Sequence, residues 1–321
     1  MPTLSIVIPV PDTAEQLEDT LLSVLENRPD DVEILVVHCG NYADPYDLTD
    51  EVRYVELPQQ STLANCVEAG VDASRGTIIH LLASGMHVEK DWVTHALRGL
   101  EDPDCGAASP VIVDRNDRAV ARGVRFGLAG TRQLERSERW STIDGPLLEA
   151  AFYRRNVLLD LLDLSQSSAV VGSQLLDVNV AMSLKAIGYR TVTVPECRIL
   201  GPAPVPAKET GFHRGLHAQR LFVRHAASVG LAKTIFLHPM ACGWQIVLDT
   251  VRGGALTSLL GRLVGLLSIG DARRYQIALA ELRSLKLDTE LESTINTIRF
   301  DAARPPVQDF PDEAYPRARA G

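Results

Sequence analysis

Along the first 113 residues, short apolar runs alternate with stretches whose apolar positions recur every three or four residues. Residues 4–10 form an apolar run rich in β-branched side chains and closed by Pro9 and Pro11, which predicts a strand buried on both faces. Thr13 and Gln16 have the spacing of a capping box. Leu17, Leu21, Val24 and Leu25 then make one helical stripe, which ends at Pro29. Residues 32–37 predict a second buried strand, stopping at His38-Cys39-Gly40-Asn41. A helix over 61–74, a strand over 77–82, a helix capped by Asp91 and a strand over 106–113 complete the pattern. Such alternation predicts an α/β chain with a mostly parallel, Rossmann-like sheet flanked by helices. Sheets of that kind bind ligands beyond the carboxyl ends of their strands. The segments to inspect are therefore 9–12, 38–41 and 83–87.

Past residue 114 the pattern loosens. Residues 114–145 are polar and Arg-rich and suit a hairpin or flap. Helices are expected around 149–162 and 173–187, the second ended by Gly188, followed by a strand over 190–199. Residues 201–206 are Pro-rich and read as a linker, and 212–298 read as almost wholly helical. Pro305, Pro306, Pro311 and Pro316 mark a tail expected to be disordered. The division expected is 1–205 (a nucleotide half, 1–113, and an acceptor half, 114–205), a helical C-terminal subdomain over 206–300, and a tail over 301–321.

Composition narrows the classes. At 321 residues, 45% hydrophobic and 23% charged, the chain can bury a sizeable core. A formal charge of −9 argues against a nucleic-acid binder. The five cysteines are scattered with no C-x-x-C pair, which predicts a reduced, cytoplasmic protein with neither a zinc site nor a disulfide framework. The N-terminus reads as a first strand, not a signal peptide. No run of about 18 apolar residues suggests a membrane span.

The order of these segments carries a resemblance. Leu4-Ser-Ile-Val-Ile-Pro-Val, then a helix, then Val32-Glu-Ile-Leu-Val-Val, resembles the opening of family 2 glycosyltransferases, which have the glycosyltransferase-A fold. Asn65, Ala73-Ser-Arg-Gly76 before Thr-Ile-Ile-His-Leu-Leu, and Val88-Glu-Lys-Asp-Trp-Val continue it. Ala150-Ala-Phe-Tyr-Arg-Arg, Asp177-Val-Asn-Val-Ala-Met-Ser-Leu-Lys-Ala-Ile-Gly-Tyr-Arg and Val194-Pro-Glu resemble the acceptor half. The resemblance implies transfer of a sugar from a nucleotide-sugar donor to a glycan or lipid-linked acceptor. It places Pro9, Val10, Asp12, His38, Gly40, Asn65, Ala83, Ser84 and Gly85 on the donor. Asp177 stands where the family's catalytic base stands.

The departures are as informative. Where the family has an acidic turn for the nucleobase, this chain has His38-Cys39-Gly40-Asn41. Its metal-binding Asp-x-Asp falls on Ala83-Ser84-Gly85, which offers no carboxylate to a hard cation. Leu176 and Asn179 stand for two further acids of the acceptor motif. No divalent metal or other cofactor is expected, so the diphosphate charge would need cationic partners. His87, Lys90, Arg154, Arg155, His213 and Arg214 are the candidates. Surface solvation is the plainer reading of each. His213 and His217 share an i, i+4 spacing but have no third ligand nearby in sequence, so they read as two surface histidines rather than a metal pair. His38 and Cys39 are adjacent on a strand end and point oppositely, which excludes a dyad.

Two functions remain open: a metal-independent transferase using Asp177, or a catalytically inactive scaffold that partners active glycosyltransferases. Leu256, Leu259, Leu260, Leu263, Leu266 and Leu267 form a stripe that suits a packed subdomain or homodimer face, or, less readily, an interfacial membrane helix. Few Lys or Arg lie along it, which counts against the membrane. At most a peripheral contact with the inner membrane face is expected.

Overall fold

The computed structural model describes residues 2–136, 142–166, 171–204, 209, 211–230, 233–251 and 254–302. The expected tail from 303 onward, the end of the expected linker (205–206) and part of the expected flap (137–141) lie outside the described residues.

A nine-stranded sheet forms the centre, in the order β3-β2-β1-β4-β10-β6-β11-β5, with β7 pairing β6. Strands β1 (Leu4–Val10) and β2 (Val32–His38) are flanked by β3 (Val52–Glu56) and β4 (Ile78–Leu82), all four parallel. All seven residues of β1 are buried, as a doubly covered strand requires. The sheet is mixed, however, and not mostly parallel. Strand β10 (Ala150–Arg154) runs antiparallel between β4 and β6 (Cys105–Val113), and the short β5 (His87–Val88) runs antiparallel to β11 (Arg190–Leu200). The apolar alternation of 150–154 merges into the helix after it, so the sequence reads as one helix. In the structure, Ala150 to Tyr153 are buried in the sheet, and helix α4 (Arg155–Gln166) starts only afterwards. Strand β3 also escapes sequence inspection, because it is short and only Val52 is fully buried.

Helices α1 (Leu17–Asn27) and α3 (Trp92–Gly99) cover one face with Leu17, Leu21, Val24, Trp92 and Ala96. Helices α2 (Leu63–Ala73), α4 and α5 (Leu176–Ala186) cover the other. Neither α1 nor α3 has the expected side-chain cap: Gln16 precedes α1 without one, and Asp91 sits at φ +65° with none. The true capping box is at α2, where Thr62 and Asn65 bond reciprocally. Strands β7 (Ala119–Ala121), β8 (Gly123–Gly127) and β9 (Thr131–Glu135) follow β6, and β8 and β9 pair as a hairpin. The C-terminal part is helical, with α6 (Gly211–Val229), a π-helical turn (Lys233–Leu237), α7 (His238–Val251), α8 (Ala255–Leu266) and α9 (Ile269–Ala302).

Candidate functional site

Because β1, β2 and β4 are parallel, their carboxyl ends lie side by side, with Val10 in register with His38. The chain leaves β2 through Gly40 at φ +70°, a left-handed conformation that favours glycine. Asn41 then returns across the gap. Its Nδ2 donates to the Asp12 carbonyl at 2.7 Å and the Val10 carbonyl at 3.4 Å, while its Oδ1 accepts from Cys39 N at 3.0 Å. Pro9, Val10, Asp12, His38 and Gly40 thus meet in one bridged corner. His38 and Cys39 face opposite sides. The Cys39 sulfur lies 3.7 Å from that of Cys66, and the His38 ring sits edge-on to Tyr42 and Tyr54, with centroids at 6.3 and 6.4 Å. The two tyrosine rings stack at 5.9 Å. His38 Nδ1 and both tyrosine hydroxyls are buried without a hydrogen-bond partner among the described residues. Burial, with Tyr42 and Asp44 adding, pushes the Tyr54 hydroxyl pKa well up. Tyr42 and Tyr54 were not legible as site residues, since their only signal is aromaticity near the β2 turn.

After β4, Ala83 N donates to the Glu149 carbonyl at 2.8 Å and Gly85 N to Thr20 Oγ1 at 2.8 Å. Gly85 has φ +87°, and a Cβ there would collide with Gln16 Oε1. Ser84 Oγ is buried without a partner. One hydroxyl and no carboxylate do not fit a divalent metal held at this turn, and no group of three metal-ligating side chains gathers among the described residues. Beside the turn lies a cavity of about 660 Å³, lined by Gln16, Gly85, His87, Asp114, Arg115 and Gly201 among others.

Asp19, Glu89 and Asp114 also line that cavity, and two further carboxylates at this edge come from later in the chain. Asp177, in the first turn of α5, is 2% exposed. Arg132, on β9, donates from Nε to Asp177 Oδ2 at 2.7 Å and from its terminal nitrogen to both Glu149 oxygens at 2.9 and 2.8 Å. Burial raises the Asp177 pKa, Arg132 opposes that, and Glu149 adds to it, leaving the carboxyl at about 6. Burial also disfavours the Arg132 charge, but the two carboxylates more than offset this and raise its pKa. Arg132 and Glu149 had no sequence signal, being 45 and 28 residues from Asp177.

Several candidates are placed elsewhere. Strand β10 is antiparallel to β4, so Arg154 falls beside Ile78, at the start of β4 and away from the carboxyl edge. Arg154 donates to the carbonyls of Cys105, Leu100 and Asp102 at 2.8, 2.7 and 3.0 Å, and Arg155 to Ser74 Oγ and the Asp72 carbonyl at 2.9 and 3.2 Å. They clamp loops at the end of the sheet where β4 begins, and neither lines the cavity. Asn65 is occupied in the α2 cap. Arg214 pairs with the buried Asp249 at 2.9 Å, and His217 contacts Glu209 at 3.1 Å. His213 lies on α6 with its ring edge-on to Phe212. Of the cationic candidates, His87 alone lines the cavity.

Residues 5–162 match the family model described as glycosyl transferase family 2. Among curated proteins, none matches significantly by sequence. Of the solved structures, GalNAc-T7 with UDP, GalNAc and Mn2+ aligns at TM-score 0.52 and 13% identity, over 72% of this chain and 52% of that one. TarS 1–349 of S. aureus with UDP-GlcNAc aligns at 0.50 and 12%, over 70% and 66%. The mannosyltransferase PcManGT from Pyrobaculum calidifontis, with GDP-Man and Mn2+, aligns at 0.47 and 18%, over 89% and 86%. At these identities the likeness to GalNAc-T7 and TarS speaks to the fold, a glycosyltransferase-A sheet. The match places residues 5–162 of this chain in glycosyl transferase family 2.

Proposed function

We propose that the protein transfers a sugar from a nucleotide-sugar donor to a glycan or lipid-linked acceptor, with Asp177 as base and without a divalent metal at the turn after β4. The observation that carries this reading is a buried carboxylate at the carboxyl edge with its pKa raised to about 6. A base titrating near neutrality is matched to removing a proton from a hydroxyl. Asp177 would take the proton of the acceptor hydroxyl as that oxygen bonds to the anomeric carbon. The bond from this carbon to the diphosphate would break, and its electron pair would leave on the nucleoside diphosphate.

In this reading the bridged corner receives the nucleobase. His38 Nδ1 and the hydroxyls of Tyr42 and Tyr54 are the unpartnered groups there that can exchange hydrogen bonds in place of the family's acids. The cavity beside Gly85 receives the diphosphate-sugar, with Arg115 as its cation and His87 as a further hydrogen-bonding group, and the diphosphate lies on the side of the cavity away from its lining carboxylates Asp19, Glu89 and Asp114.

A second reading, a catalytically inactive partner of another glycosyltransferase, is favoured by one contact. Arg132 holds Asp177 at 2.7 Å, and this cation stabilises the charged carboxylate against taking the acceptor's proton. Fold alone does not decide between activity and scaffolding. Asp177→Asn decides it where turnover can be measured: the enzyme reading predicts lost transfer with retained nucleotide binding, and unchanged transfer refutes it.

A further inference from the structure

Helix α8 is built the wrong way round for water. A surface helix buries its large apolar side chains and exposes its polar ones. In α8 the buried positions are Ser258, Gly261, Arg262 and Gly265. They meet α6 so closely that a Cβ on Gly261 would collide with the Phe212 carbonyl, and one on Gly215 with the Ser258 carbonyl. The large side chains point outward: Leu256 is 71% exposed, Leu263 54% and Leu267 84%. Small residues toward protein and leucines toward the surroundings is how helices pack where the surroundings are lipid.

The π-helical turn and α7 extend this surface with Phe236, Met240, Trp244 and Val247. Among the described residues from 234 to 270, every exposed side chain is uncharged. The charged groups there are turned inward. Asp249 is paired with Arg214, and Arg262 donates to the Ala129 carbonyl at 3.0 Å and to Cys242 Sγ at 3.2 Å. A contiguous apolar surface of this kind marks an interaction site.

Charge says what covers it. Residues 233–274, from the π-helical turn to the start of α9, contain five Lys or Arg and two Asp or Glu, about +3 in a chain of formal charge −9. The leucine-exposing segment is thus net basic in an acidic protein. Two of its cations lie past the apolar stripe, Arg273 and Arg274, both exposed just after Ile269, and in the sequence Lys233 and Arg252 stand on either side of α7. A second copy would bring like charge to the rim, whereas anionic headgroups complement it.

We propose that the surface formed by the π-helical turn, α7 and α8 lies in the headgroup–acyl boundary of an anionic phospholipid bilayer. It lies on the bilayer and does not cross it. No single described helix is long and apolar enough to span, and Ala255–Leu266 with Ile269–Asp288 passes only as a pair bent by 58°. The proposal does not depend on sugar transfer.

Flotation of the full chain tests it, with vesicles of phosphatidylcholine alone or mixed with phosphatidylglycerol. Trp244 emission is read in a Trp140→Phe background, since Trp92 is buried in the core. The expected result is flotation with the anionic vesicles, weaker by about tenfold without phosphatidylglycerol, and a blue shift of Trp244 quenched by brominated acyl chains. Leu263→Ser with Leu267→Ser, both exposed, lowers the bound fraction about tenfold at unchanged circular dichroism. Protein that stays at the bottom with anionic vesicles overturns the proposal. So does a dimer in solution that the double substitution splits, or flotation that the double substitution leaves intact.

Discussion

Two arginines, Arg154 at the end of β10 and Arg132 on the β8–β9 hairpin, show how one residue type does different work at the two ends of the central strands. Arg154, at the edge where β4 begins, donates to three backbone carbonyls and ties the α3–β6 loop to the sheet. Arg132, at the carboxyl edge, donates to two carboxylates, one of them buried and titrating near pH 6. Carbonyls are neutral, so the first clamp is fixed whatever the pH. Carboxylates gain and lose charge, so the second can be loosened by a proton or a ligand. The same fork of donors gives structure in one place and a switchable site in the other.

The sharpest way to break this contrast is Asp177→Asn. If Asp177 is the base, transfer falls by about 10²–10⁴-fold while nucleoside-diphosphate affinity stays within a few fold, as steady-state kinetics beside calorimetry would show. Arg132→Leu comes next. It leaves two carboxylates near one another without their cation, and chemical denaturation should register a loss of about 3–5 kcal/mol. Arg154→Leu is milder, at about 1–3 kcal/mol from the lost carbonyl bonds, and nucleotide binding should not change. If Arg154→Leu weakened nucleotide binding more than Arg132→Leu does, the assignment of the two edges would be wrong.

The smallest effect is on pH dependence. The folded pKa of Asp177, about 6, lies above the ordinary aspartate value of about 3.9. Between these values the folded state holds a proton that the unfolded state has released. The Asp177 contribution is therefore fully present below about pH 4 and is lost as pH rises through about 6. Wild type should lose stability across that window relative to Asp177→Asn, whose curve lacks this slope. Transfer should instead rise through pH 6 as the base ionises.

Where physical signals are local, the sequence carries them. The unbroken β-branched runs of β1, β2 and β4 announce a covered sheet, and the Gly40 turn marks the end of β2. Asp177 could be picked out because its position in the acceptor motif is itself a local pattern. Strand β10 could not, because Ala150-Ala-Phe-Tyr-Arg runs into a helix with no Gly or Pro between them. That one misassigned strand also misplaced Arg154 and Arg155, since the antiparallel direction of β10 carries them to the far edge. Arg132 was invisible for another reason: its partners are brought to it by tertiary folding of the hairpin over α5. The leucine stripe of α8 was legible, but which way it faces depends on the glycine contacts with α6.

The central claim is nucleotide-sugar chemistry without a metal at the turn after β4, and calorimetry with UDP, GDP, CDP and dTDP, each with and without manganese, tests it most directly. One of the four is expected to bind with the same affinity in both conditions. Binding that requires manganese would contradict it by showing that other carboxylates hold a metal, and binding of none would leave the inactive partner as the function of this fold.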